Sequence, residues 1–132
     1  MPVTASGVTL RGVRPGSDLD LLQGSWVTVA GPKEARFLVC GERYAFEYLG
    51  GDIYMGTLIL DPHPEPKRID MWIDEGPAAH RGLLTHCIYQ LDGEILRWCP
   101  ARPGSDRRLT AFPSVSDAKY LSLVFRHTRP RA

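Results

Sequence analysis

No stretch of this 132-residue chain approaches the roughly 18 consecutive apolar residues that a membrane-crossing helix requires. Helical periodicity is just as scarce. After Gly24 no apolar i, i+3, i+4, i+7 stripe outlasts a single turn, which excludes a helix bundle. Cysteine is sparse, and Cys40, Cys87 and Cys99 show no Cys-x-x-Cys spacing. Neither a disulfide framework nor a zinc knuckle is therefore expected, and the three are read as free thiols. Met1-Pro2-Val3-Thr4-Ala5-Ser6 lacks a basic stretch followed by an apolar one, so no secretory signal is expected and the location is read as cytoplasmic. Charge of one sign is missing as well, with 16 Lys and Arg against 15 Asp and Glu.

That balance is global, not local. Residues 1–96 hold 8 basic and 13 acidic side chains, a net of −5, whereas 97–132 hold 8 basic and only Asp106 and Asp117, a net of +6. Such an excess suits an anion. No nucleic-acid motif or interleaved aromatic accompanies it, so nucleic acid is not an expected partner.

What the chain does have is punctuation: 13 Gly and 11 Pro. Ser17-Asp18-Leu19-Asp20-Leu21-Leu22 reads as one helical turn, capped by Ser17 with Asp18 and Asp20 at its positive end. Short β-type runs follow at Trp26–Ala30, Arg36–Cys40, Arg43–Leu49, Ile53–Asp61, Arg68–Ile73, Leu83–Leu91, Glu94–Cys99 and Tyr120–His127, with a further short strand expected at Arg108–Phe112. Turn signals stand between them, Asp92-Gly93 being the sharpest hairpin cue. Consecutive strands in hairpin order, without crossover helices, predict an all-β, antiparallel up-and-down barrel. The expected organisation is a flexible leader at 1–16, a barrel domain at 17–128 and a basic tail at 129–132.

Alternation assigns faces. Ile69, Met71 and Ile73 point inward, which leaves Asp70, Trp72 and Asp74 on an outer face that could meet a partner protein. Tyr44, Phe46 and Tyr48 share one face, Tyr54, Gly56, Leu58 and Leu60 another, and Leu96 shares one with Trp98. Leu84, His86 and Ile88 alternate with Thr85, Cys87 and Tyr89, and neither set is clearly polar. His86 is placed inward with the apolar pair. As adjacent strand residues, His86 and Cys87 point to opposite faces and cannot form a Cys–His dyad. His63, His80, His86 and His127 fall in separate loops, a strand and the tail, so no metal site is expected. Nor does any motif call for a cofactor.

Leu22-Gln23-Gly24-Ser25-Trp26 opens the first strand and Leu121-Ser122-Leu123-Val124-Phe125-Arg126 closes the last. This pairing resembles lipocalins, in which a Trp on the first strand and an Arg on the last pack across the barrel's closed end. The resemblance therefore gives Trp26 and Arg126 a structural role in contact with each other. Further segments are similar to one lipocalin-like (calycin) paralogous family of mostly uncharacterised bacterial proteins, of planctomycete type. They are Gly56-x-Leu58-x-Leu60-Asp61, Pro66-Lys67-Arg68-Ile69-Asp70-Met71, Glu75-Gly76-Pro77 and Ile88-Tyr89-Gln90-Leu91-Asp92-Gly93-Glu94-Ile95-Leu96. The resemblance implies an eight-stranded barrel able to hold an apolar ligand, and no particular reaction. Cys87-Ile88-Tyr89 and Arg108-Leu109-Thr110-Ala111-Phe112 depart from the family's usual Gly-Ile-Tyr and Arg-Pro-Thr-Glu-Phe.

Three functions remain open. The first is binding of a small hydrophobic or aromatic molecule by Tyr44, Phe46, Tyr54, Met71, His86 and Trp98. The second is an isomerase, cyclase or lyase on a hydrophobic intermediate, with His86 as acid or base and Tyr54 or Tyr44 as hydrogen-bond donor. The third is a protein-interaction module that uses Asp70, Trp72 and Asp74.

Overall fold

A computed structural model describes residues 14–114 and 120–128. Nearly all of the leader expected at 1–16, and the whole tail expected at 129–132, lie outside the described residues. One short helix, α1 (Asp18–Leu22), precedes eight strands. These are β1 (Gly24–Ala30), β2 (Ala35–Cys40), β3 (Arg43–Tyr48), β4 (Ile53–Asp61), β5 (Lys67–Glu75), β6 (Leu84–Asp92), β7 (Ile95–Pro100) and β8 (Leu123–His127). Each strand pairs antiparallel with the next, and β8 returns to β1, so the sheet is a closed up-and-down barrel. Closure gives every strand two hydrogen-bonded neighbours and leaves no edge to aggregate.

The strand expected at Arg108–Phe112 does not form. In a sheet already closed by eight strands there is no free edge for another to join. The segment instead crosses the outer face of β6 and β7, held there largely by side chains. The sixth hairpin also turns one residue later than its cue, on Gly93-Glu94, with Asp92 opposite Ile95 as the last pair.

Helix α1 forms the closed end. The Ser17 hydroxyl accepts from the Asp20 amide at 3.2 Å, satisfying one of the free donors of the first turn. Leu22 is buried, and its carbonyl accepts from Trp26 Nε1 at 2.9 Å. Asp18 accepts from the Tyr89 hydroxyl at 2.7 Å and from Lys67 Nζ at 2.9 Å, which ties the helix to β5 and β6. Gln23 donates to the Gly41 carbonyl and accepts from the Gly41 amide, so the β2–β3 turn is pinned beneath the helix.

One glycine shapes the wall above this plug. Gly56 lies at a bulge where β4 pairs with β5: Met55 faces Glu75, Gly56 faces Ile73, and Asp74 is the extra residue. A Cβ at position 56 would run into the Trp72 carbonyl oxygen. The bare backbone leaves room for its cross-strand neighbour Tyr44, whose hydroxyl donates to that same carbonyl at 2.9 Å.

Candidate functional site

The barrel interior divides by depth. Next to α1 it is packed solid with Leu22, Trp26, Phe37, Leu58, Tyr89 and Phe125, all 1% exposed or less. Burying each such side chain contributes about 1.5–3 kcal/mol, so this half of the barrel stabilises the fold. Toward the opposite end the side chains part around a cavity of about 1090 Å³, open to solvent. Phe46, Met71 and Trp98, each buried, border its inner part. Loops after β1, β3, β5 and β7 form its mouth.

Strand alternation on β3 builds much of the wall. Tyr44, Phe46 and Tyr48 all point inward, and a run of aromatic contacts leads from the core outward. Phe37 lies 5.5 Å from Phe46, Phe46 lies 5.0 Å from Tyr48, and Tyr48 meets Tyr54 edge-on at 6.0 Å. Tyr54 then stacks on His80 at 5.9 Å, with its hydroxyl 2.9 Å from His80 Nδ1. Trp98 packs on Phe46 at 4.7 Å, and its buried Nε1 makes no geometrically sound hydrogen bond among the described residues, the Cys87 thiol being its polar neighbour. Burial pushes the phenols of Tyr44, Tyr48 and Tyr54 up from their ordinary value, with help from nearby negative charge. All three are neutral hydroxyls at physiological pH, so they act as hydrogen-bond donors and acceptors and not as bases.

Five of the six residues singled out for ligand contact, Tyr44, Phe46, Tyr54, Met71 and Trp98, line this cavity. His86 does not. The inward residues of β6 are Thr85, Cys87 and Tyr89, and His86 stands on the outside of the barrel opposite Asp70. The expectation failed because β6 is covered on both faces. Ile88 is as buried as Tyr89 although it points outward, on the side where the segment after β7 bonds β6 through Arg108 and the Ala101 and Gly104 amides. A strand shielded on both sides carries no polar alternation from which to read its orientation. The catalytic trio of His86, Tyr54 and Tyr44 is thereby separated by the sheet.

The Trp26–Arg126 contact is also overturned. Trp26 faces inward at 1% exposure, whereas Arg126 pairs with Val27 and faces solvent on the other side of the sheet. His127 is the true neighbour. It sits opposite Trp26 with the rings edge to face at 4.7 Å, and its Nε2 lies 2.9 Å from the Gln23 carbonyl. Gly24 makes this possible, because a Cβ there would come within 2.7 Å of the His127 ring. The Gly-x-Trp spacing thus puts a bare backbone and an indole on one face for an imidazole to fill.

On the outer face, His86 Nδ1 lies 2.9 Å from Asp70 Oδ1 and 2.8 Å from an Arg108 nitrogen. Arg108 also reaches Asp70 at 2.7 Å and donates to the Cys87 carbonyl at 2.9 Å. Burial pushes the Asp70 carboxyl up, but hydrogen bonds and charge from His86 and Arg108 outweigh it and hold Asp70 below its ordinary value. Asp74 pairs with Arg43 at 3.7 Å, and Trp72 is 41% exposed. Of the proposed partner face, then, Asp70 is held by His86 and Arg108, whereas Asp74 is half exposed in a long contact with Arg43 and the indole is part exposed.

His80, weighed in the sequence only as a metal ligand, borders the cavity, as do Tyr48, Thr85, Lys33, Arg102 and Arg107, none of which was a ligand candidate. His80 lies in the loop Gly76-Pro77-Ala78-Ala79-His80, where no periodicity reports orientation. Among the described residues no three His, Cys, Asp or Glu side chains converge as metal ligands. No helix among them is long and apolar enough to cross a membrane. No family model, curated protein or solved structure matches the chain.

Proposed function

We propose that this barrel is a small-molecule binding module whose cavity takes an apolar or aromatic ligand. The observation that carries the reading is the unfilled half of the interior. Protein cores pack to crystal density with few voids larger than a water molecule. A space of about 1090 Å³, which includes its solvent-open mouth and has Phe46, Met71, Tyr48, Tyr54 and Trp98 in its wall, is large enough for a ligand and has the aromatic and apolar lining of ligand pockets. The flat faces of Trp98 and Phe46 suit an aromatic ring, and the Tyr54–His80 pair offers a hydrogen bond near the entrance. The lipocalin-like relationship belongs to this proposal, and it rests on the sequence segments quoted above.

Catalysis by His86 receives no support, because that side chain is outside the barrel, and the Tyr44 proton is already committed to the Trp72 carbonyl. Native mass spectrometry of the chain isolated from the cells that make it tests the binding reading. Paired with it is titration by the neutral fluorophore N-phenyl-1-naphthylamine. One small molecule retained per barrel, or saturable 1:1 uptake of the fluorophore, is the expected result. A bare chain that also fails to take up the fluorophore would overturn it.

A further inference from the structure

Three of the eight basic residues of 97–132 lie at the cavity mouth. After β7 the chain runs along the cavity mouth, and Arg102, Arg107 and Arg108 all border the opening. Their circumstances differ. Arg108 is neutralised by Asp70 at 2.7 Å, whereas Arg102 and Arg107 form no ion pair among the described residues and are exposed. Lys33, on the loop after β1, also borders the mouth and is likewise without an ion pair, its ammonium 5.2 Å from the centre of the Tyr48 ring. The acidic residues that line the rim are Glu34 and Asp52, one on each of two other turns; Asp106, next to Arg107 on the arginine-bearing segment, does not line the cavity. Below this rim the wall becomes aromatic and apolar at Phe46, Met71 and Trp98.

We propose that the ligand is an amphipathic anion, a proposal that rests on the binding reading above. Its apolar body lies in the barrel, and its acidic head, a carboxylate or sulfonate, meets Arg102 and Arg107 at the rim. Two guanidinium forks on one short segment can engage an acid's oxygens in paired hydrogen bonds, which a lone ammonium cannot. The aromatic wall below supplies non-directional affinity, and the rim supplies orientation and selectivity.

The test uses two fluorophores on the full chain, 8-anilinonaphthalene-1-sulfonate and N-phenyl-1-naphthylamine, which share one aromatic body and differ by the sulfonate. We expect each to bind once per barrel, to displace the other, and the sulfonate to bind more tightly at low salt. In the double variant R102Q/R107Q the sulfonate should weaken by about three- to tenfold, as for exposed ion pairs, while the neutral probe is unchanged. Added salt should erase the same preference in the native chain. If the neutral probe binds as tightly as the sulfonate, or the preference survives in R102Q/R107Q, the anion proposal falls and the binding reading stands. If neither probe binds, both fall.

Discussion

At the scale of single residues, the closed end of the barrel depends on which side chain completes the Trp26 environment. His127 does so, edge-on to the indole and over the space left by Gly24, and Arg126 takes no part. The consequence is a sharp contrast between neighbours. Trp26→Ala should cost about 3–5 kcal/mol, because it empties the centre of a packed core. Arg126→Ala should change stability by no more than about 0.5 kcal/mol, as expected for an exposed side chain that makes no ion pair among the described residues. Chemical denaturation of the two variants measures this directly. An Arg126→Ala loss comparable with that of Trp26→Ala would restore the arginine to the core and refute the arrangement described here.

Among the elements, α1 and the segment between β7 and β8 are held by charge as much as by packing. Burial pushes the Asp18 carboxyl up, but hydrogen bonds from Tyr89 and Lys67, together with the Lys67 charge, more than offset this and leave it below its ordinary value of 3.8. A carboxylate depressed in the folded state stabilises the fold above its unfolded pKa and loses that contribution as pH falls through the folded value. Asp18→Asn should therefore lower the melting temperature at neutral pH. The gap to the parent should close as pH drops below about 4, which a pH series of thermal melts will follow; a gap independent of pH would rule out the electrostatic tether.

The segment after β7 is anchored at three places: Arg108 on Asp70 and His86, the Ala101 and Gly104 amides on β6 carbonyls, and Phe112 beneath Arg97 at 4.6 Å. Beneath it lies Cys99, which points away from the cavity yet is fully buried, its thiol pushed up to about 11 by burial. Arg108→Ala should loosen the segment and speed reaction of Cys99 with a thiol reagent, leaving Cys87 protected inside the barrel. Mass mapping of the modified cysteines distinguishes the two, and unchanged Cys99 protection would show that Arg108 is not an anchor.

For the molecule as a whole, the division of the barrel into a packed half and an open half separates stability from binding. Leu22, Trp26, Phe37 and Phe125 fill the end that holds α1, while Phe46, Met71 and Trp98 border the end that is left open. A ligand that enters the folded barrel and not the unfolded chain must raise stability by mass action, by about 2.7 kcal/mol at a free concentration of 100 times Kd. Thermal melts with N-phenyl-1-naphthylamine should accordingly shift upward with concentration. A melting temperature insensitive to a bound probe would place that probe outside the cavity.

The sequence by itself determined the architecture, because hairpin cues at short intervals and period-two alternation are local properties that need no tertiary contact to be read. Ile69, Met71 and Ile73 against Asp70, Trp72 and Asp74 is such a pattern, and the inward placement of Tyr44, Phe46, Tyr54, Met71 and Trp98 followed from the same rule. Only the tertiary structure decided β6, where cover by the segment after β7 removed the polar face and sent His86 outward to Asp70 and Arg108. It also decided the partner of Trp26, since strand register selects between Arg126 and His127, and a shift of one residue exchanges inside for outside. His80 reached the cavity through a loop, whose course is fixed by what it packs against and not by any period in its residues. The open volume was likewise illegible, because whether inward side chains meet or leave a gap depends on the diameter of the closed barrel, a property of all eight strands together.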